Sequence, residues 1–330
     1  MPRANPDRRA TAVRIDGGRI IATWHSVLTY VGGIALCAAV AGIAVRWIPI
    51  ANRLLLALAA SAPYLLIGAP VAAVSFGIQR NWPLLAAAVA VTVAAVVVQL
   101  PLFRKVTAPS GTALRFMSAN LRYGRAEAEP VVRYAEEGAD IVALQELTPA
   151  SMSRLEAAGL DRMFPHRALR EMDEPGGVGI WSRYPITDVR IDDGFWLGML
   201  TADIQVPGAR TTTRVMTVHL SAPWPDPLQG WRDDLARLAD TLLKTARASS
   251  GPVLLAGDLN ATPDMREFRR LLRQGYHDAG AQAGAAVRPG GGAGARARPR
   301  AASTSPGASS ARRLSRSTTS PRMKWRTSRR

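Results

Sequence analysis

The chain has 330 residues, room for one or two domains with a sizeable core, and its 48% of hydrophobic residues are very unevenly spread. Its net charge of +17 rests almost wholly on arginine, since the only lysines are Lys105, Lys244 and Lys324; with abundant Ala, Gly and Pro this reflects a GC-rich genome more than a selected arginine surface. One cysteine, Cys37, excludes an internal disulfide framework and any multi-cysteine metal site.

Residues 1–25 read as a basic polar tail, and residues 26–103 as a membrane anchor. Val27–Val45 and Leu54–Ile78 carry no charge, and Leu84–Leu100 is almost wholly Ala, Val and Leu. Each is close to the ~20 residues that a helix needs to cross the hydrocarbon core. Trp47 and Trp82 lie at segment ends, and Arg46, Arg53, Arg80 and Arg104 bracket the segments, as interface anchors do. Pro63 and Pro70 predict a kink in the second segment, which a membrane helix tolerates. A cleaved signal peptide does not fit, because a polar stretch comes first and two more apolar segments follow. The expectation is three transmembrane helices in the cell membrane, with Cys37 a plain buried thiol. With the amino terminus inside, Arg3, Arg8, Arg9, Arg14, Arg19 and Arg80 lie on the inner side, against Arg46, Arg53, Arg104 and Lys105 outside. That balance favours an extracytoplasmic position for everything after the linker at 104–113.

From residue 114 to 285 the texture is that of an α/β domain. Apolar runs recur as "LRFMSANL", "IVALQEL", "GVGIWSRYPI", "RVMTVHL" and "PVLLAGDLN". Between Glu129 and Glu137, Val131, Val132 and Ala135 share a helical face, with Gly138 as the stop. Trp231–Ala248 has Leu235, Leu238 and Leu242 at helical spacing, and Asp233 and Asp234 in its first turn. Thr262-Pro263 reads as a helix start, with Phe268, Leu271 and Leu272 as its buried side and Gly275 as its end. Strands alternate with helices while "RVMTVHL" suggests hairpins, so the sheet arrangement is mixed.

Polar residues close these runs: Asn120, Glu146, His219, Asp258 and Asn260. Singly, each has an ordinary reading as a turn residue, a helix-start acid or a histidine at a strand edge. Together they offer a carboxylate and oxygen donors suited to a hard cation such as Mg²⁺, an acid and an amide to orient water, and an imidazole to carry a proton or stabilise a phosphoryl oxygen.

"SANLRYG", "ALQEL", "GVGIWSRYPI", "VHLSAPWP" and "LLAGDLNATPD", in this order, resemble the endonuclease/exonuclease/phosphatase superfamily, whose best-known fold is that of DNase I. The anchor ahead of the domain resembles bacterial membrane members named VanJ-like, some linked to glycopeptide-antibiotic resistance. The resemblance implies an α/β four-layer sandwich, two mixed β-sheets packed face to face with helices outside. It implies that Glu146 binds Mg²⁺ (or Mn²⁺), that Asn120 supports metal and phosphate, and that His219 is one of two catalytic histidines. Asp258 would orient or activate the attacking water, and Asn260 would hold the scissile phosphate. The implied reaction is metal-assisted hydrolysis of a phosphomonoester or phosphodiester. The substrate class stays open between a lipid-linked phosphate, a cell-surface polymer and nucleic acid, and no protein partner is readable.

The family ends in an "IDH" strand and an "SDH" motif that supplies the second catalytic histidine, and both are missing. The four histidines are His25, His166, His219 and His277, and "GYHDAG" does not replace the lost motif. Residues 286–330 instead hold eleven arginines, one lysine and no acid, +12 of the total +17. Too apolar-poor to bury a core, this tail is expected to be disordered. One reading is a basic arm for nucleic acid or anionic lipid, which would make the chain a non-catalytic anchored module. The other is out-of-frame translation: "SRSTTS", Ser315 to Ser320, can be coded so that dropping two bases yields Ala-Ile-Asp-His-Val. That second reading implies a phosphoesterase whose domain is incomplete at its carboxyl end and impaired.

Overall fold

The computed structural model describes residues 17–103, 114–173, 176–283, 295–297 and 312–314; most of the basic tail at 1–25, the linker at 104–113 and most of the 286–330 tail lie outside them. Two compact units form, one from Met1–Ile43 with Pro63–Ala95, the other from Ala44–Ala62 with Val96–Arg330. The stretch expected as anchor is therefore divided, and residues 44–62 pack with the α/β unit.

The apolar region folds as α1 (Gly17–Ala44), α2 (Arg53–Leu65), α3 (Gly68–Ile78) and α4 (Trp82–Phe103). Thr23–Trp47 and Trp82–Phe103 are long and apolar enough to cross a membrane, whereas the expected middle span is a helix pair bent by 55°. The count is thus two such helices, or three if the bent pair is one span. The break lies between the two prolines: Pro70 has no N–H to give the carbonyl of Leu66, and its ring crowds that carbonyl. In the first unit, a Cβ on Gly68 would lie 2.2 Å from the Ala35 carbonyl oxygen, and Ser75 Oγ donates to the Leu28 carbonyl at 2.7 Å. Small residues and hydroxyl-to-carbonyl bonds let apolar helices approach without a hydrophobic drive between them. Cys37, expected to be buried, is exposed on α1.

The second unit runs β1 (Leu114–Asn120), α5 (Ala128–Gly138), β2 (Ile141–Gln145), α6 (Pro149–Ala157), α7 (Leu160–Met163), β3 (His166–Arg170), β4 (Val178–Ser182), β5 (Ile186–Asp192), β6 (Gly198–Ile204), β7 (Thr213–His219), α8 (Leu228–Ala248), β8 (Val253–Asp258), α9 (Arg266–Leu272), β9 (Tyr276–Asp278), α10 (Ala279–Ala283), β10 (Ala295–Ala297) and β11 (Arg312–Leu314). One sheet has the order β10-β1-β2-β4-β3 and the other β5-β6-β7-β8-β11-β9. Both are mixed: β1–β2 and β7–β8 are parallel, β2–β4 and β6–β7 antiparallel.

Strand alternation sorts the side chains into layers. Phe116, Ile141, Ala143, Val215, Leu254 and Ala256 form the cluster between the sheets. Val142 and Leu144 point the other way, onto α5 and α6, and Met216, Val218, Val253 and Leu255 point onto α8 and α9. The result is the expected α/β architecture, two mixed sheets face to face with helices outside.

Two features differ from the sequence reading. Thr262-Pro263 does not start a helix; Met265 N–H bonds back to the Thr262 carbonyl at 3.0 Å as a turn, and α9 begins at Arg266. Within the arginine-rich tail, most of which lies outside the described residues, two three-residue stretches are strands: β10 on the edge of β1 and β11 between β8 and β9. Edge strands offer unpaired backbone donors and acceptors to any extended chain, and that pairing needs no apolar side chain.

Candidate active site

Alternation along four strands builds the site from below. Above the apolar layer of Phe116, Ala143, Val215 and Ala256, the next inward positions are Ser118, Gln145 and Thr217. Gln145, fully buried, donates from Nε2 to Thr217 Oγ1 at 2.9 Å and so ties the two sheets together. One step further, at the carboxyl ends, the same rows deliver Asn120, His219 and Asp258, and His219 and Asp258 are register partners.

Glu146 joins them against the alternation. Following β2, it would point outward with Val142 and Leu144, but its backbone is left-handed, with φ 57°. Such a conformation costs a non-glycine residue about 1 kcal/mol or more and persists where its surroundings enforce it. Here Asn120 Nδ2 donates to Glu146 Oε1 at 2.8 Å, and the Tyr123 N–H donates to Oε2. Tyr123 is itself in a left-handed turn with Arg122 and Gly124 (φ 53°, 58° and 65° along the three). A Cβ on Gly124 would sit 2.3 Å from Thr148 Oγ1, so the turn closes only on glycine.

Asn120 Nδ2 also donates to Asp258 Oδ2 at 3.1 Å, so one amide bridges both carboxylates. Asp258 Oδ1 accepts from the Asn260 N–H at 3.0 Å, and Asn260 Nδ2 donates to the Leu220 carbonyl at 2.9 Å. Asn260, with φ 46°, takes the left-handed region that asparagine tolerates. His219 Nε2 lies 3.6 Å from Glu146 Oε1, with both side chains buried. Beside it, burial pushes the Asp226 carboxyl up, against the pull of the Ala222 N–H and of His219.

All five residues singled out in the sequence therefore converge at one end of the space between the sheets. The remaining described histidines do not: His25 is on α1, His166 on β3, and His277 is exposed on β9, separated from β8 by β11. Asp233 and Asp234, expected in the first turn of a helix from Trp231, lie further in because α8 starts at Leu228; Asp234 accepts the Ser221 N–H at 2.9 Å and the Trp196 N–H at 3.1 Å, fixing the loop after His219, a role the sequence reading missed. Its only signal was an acid on the apolar face of an amphipathic helix. That reading also missed Thr217, the polar break in an apolar strand.

The donors fit a hard cation. Two carboxylates bridged by an amide, all oxygen on the acceptor side, suit Mg²⁺, which takes one or two carboxylates and keeps several waters. Among the described residues no group of three or more His, Cys, Asp or Glu is placed to hold a metal ion.

The model of the Endonuclease/Exonuclease/phosphatase family matches residues 117–326. No curated protein matches the chain by sequence. Among solved structures, D. rerio TDP2 complexed with a single-strand DNA product is similar at 21% identity and a TM-score of 0.40, covering 48% of this chain and 65% of that one. Sphingomyelinase C from Streptomyces griseocarneus is similar at 20% identity and a TM-score of 0.39, covering 50% and 70%. A beta toxin double mutant from Staphylococcus aureus with bound magnesium ions is similar at 17% identity and a TM-score of 0.40, covering 51% and 73%. A humanized D. rerio TDP2 is spanned over 63% of its length, just under two thirds.

Proposed function

The chain belongs to the Endonuclease/Exonuclease/phosphatase family, and from that premise we propose that it is a membrane-anchored, divalent-metal-dependent phosphoesterase. The observation that carries this reading is the single Asn120 amide shared by Glu146 and Asp258 at the carboxyl ends of the paired sheets.

Glu146 would hold Mg²⁺ or Mn²⁺, with Asn120 orienting its carboxylate through Nδ2 while Asn120 Oδ1 accepts from the Arg122 N–H, and the bound ion would supply Lewis-acid polarisation of a phosphoryl oxygen. Asp258, oriented by the Asn260 N–H, positions the attacking water and accepts its proton. Asn260 Nδ2 has a second hydrogen beyond the one given to Leu220, and that hydrogen holds a phosphate oxygen. His219 stabilises the phosphoryl oxygen as charge develops on it. The substrate is a phosphate ester; a lipid-linked phosphate at the membrane surface suits the anchor, and nucleic acid suits the same chemistry. With the bent pair counted as one span, the catalytic unit faces away from the cytoplasm, following the arginine balance of the spans.

The family's second catalytic histidine has no counterpart among the described histidines, so turnover by this chain is slow. Loss of one positioned acid/base group typically removes ~10²–10⁴-fold of rate. The test is Mg²⁺-dependent hydrolysis of a generic phosphodiester by the full chain, by Asp258→Asn, and by a version whose terminal reading frame is restored. Low activity that Asp258→Asn abolishes and the restored frame raises supports the proposal. No Mg²⁺-dependent hydrolysis by any of the three would leave the basic tail, +12 in charge, as the working part of a non-catalytic binding module.

A further inference from the structure

The segment joining α1 to α2 packs against the β8–α9 loop. Val45, Ile50, Ala59 and Ala62 are buried in the same apolar cluster as Met265, Phe268 and Leu271. Arg46 pairs with Asp264, their side chains 8% and 3% exposed, which makes this a desolvated ion pair rather than a surface one. Arg269 forks across the junction, giving one bond to the Pro263 carbonyl at 2.8 Å and another to the Arg46 carbonyl. The Ile50 N–H donates to Glu267 Oε1 at 2.8 Å. Three polar ties and an apolar patch thus fasten the connection between α1 and α2 to the β8–α9 loop and the first turn of α9.

That loop carries the site. It leaves β8 at Asp258, passes Asn260, and reaches Asp264 within six residues. Asp264, paired with Arg46, lies within the turn at 262–265, and the helix starts just after it, at Arg266.

We propose that Arg46 is a positioning residue for the phosphoesterase site: by pairing with Asp264 it fixes the loop that aims Asp258 and Asn260. Residues 44–62 are then part of the catalytic unit, and a change at Arg46 costs activity even while the domain stays folded. A buried carboxylate left without its cation is costly, whereas removing both charges together is often tolerated. This sets the signature of the pair apart from that of simple packing.

This inference rests on the phosphoesterase reading, and its test separates the two. In the full chain in lipid nanodiscs, Arg46→Gln is expected to lower kcat for Mg²⁺-dependent phosphodiester hydrolysis about tenfold with KM nearly unchanged, the pattern of lost transition-state alignment. Arg46→Lys should return part of the rate, and Arg46→Gln with Asp264→Asn should lose no more than either single change. Docking is read without activity by cross-linking Ile50→Cys to Glu267→Cys in a Cys37→Ser background with a short bis-maleimide. Additive losses in the double variant, or a fall in melting temperature with kcat intact, would overturn the positioning role. A missing cross-link would overturn the docking itself. A cross-link that forms in a chain with no hydrolysis at all would sink the phosphoesterase reading and the positioning role, and leave the docked segment as architecture.

Discussion

Asp140 and Glu146 flank the same strand, β2, one residue before it and one after, and both are buried. Asp140 is fully answered: Arg115 donates to it from its backbone N–H at 2.7 Å, from Nε at 3.3 Å and from Nη2 at 2.9 Å. Glu146 has no such cation. Its oxygens meet an amide, an N–H and His219, and the amide ties it to a second acid, Asp258. Among the described residues neither Glu146 nor Asp258 pairs with Arg or Lys. One end of the strand is closed by an arginine, and the other gathers two carboxylates around one amide, with an imidazole beside them. The lesson is that buried acids mark function by the partner they lack, not by burial.

The largest effect should come at the open end. His219→Ala is expected to lower Mg²⁺-dependent phosphodiester turnover by roughly 10²–10⁴-fold while the melting temperature holds, as initial-rate kinetics on purified full chain would show. At the closed end, Arg115→Ala should leave turnover per folded molecule unchanged and destabilise the domain by about 2–3 kcal/mol. That is less than for a fully buried pair because Arg115 keeps 36% of its side chain in water.

The pH dependence sharpens the contrast. Burial opposes ionisation of Asp140, but the hydrogen bonds and charge of Arg115 outweigh it and hold the carboxyl below its usual range. Its folded form releases the proton earlier than the unfolded chain, so the pair stabilises fully above the unfolded value of about 4 and fades as pH falls through the folded one. Arg115→Ala should flatten that acid limb in melting curves. Asp234 runs the other way: burial pushes its carboxyl up despite the Ser221 and Trp196 N–H groups. Its folded form keeps the proton longer, so its contribution is greatest below about pH 4 and declines as pH rises through the folded value. Asp234→Asn, the smallest of these effects, should therefore steepen the gain in stability as pH rises above about 4.

Much of this architecture was legible in the sequence because strand alternation and helix periodicity are local. The five inner strands appear as apolar runs, and α5 and α8 as amphipathic faces ending at Gly138 and Ala248. The polar strand ends were legible for the same reason. The exceptions are long-range. α9 starts at Arg266 rather than at Thr262-Pro263, just after Asp264, whose partner Arg46 lies more than two hundred residues earlier. Glu146 reaches the site only through a left-handed backbone that no residue preference announces. The middle apolar segment is long enough for one span, yet Pro70 divides it. β10 forms from arginine-rich sequence because the open edge of β1, not the strand itself, supplies the bonding pattern.

The most direct test of the central claim is a Mg²⁺ titration of the melting temperature of the full chain, compared with Glu146→Gln. At a hundredfold excess over Kd, bound metal contributes about 2.7 kcal/mol, which corresponds to a rise of roughly 5–10 °C. The account predicts that rise in the unaltered chain and its loss in Glu146→Gln, with the melting temperature in EDTA equal to or above that of the unaltered chain because one uncompensated buried charge has gone. Equal Mg²⁺ shifts in both proteins, or no shift in either, would contradict a metal site at the end of β2.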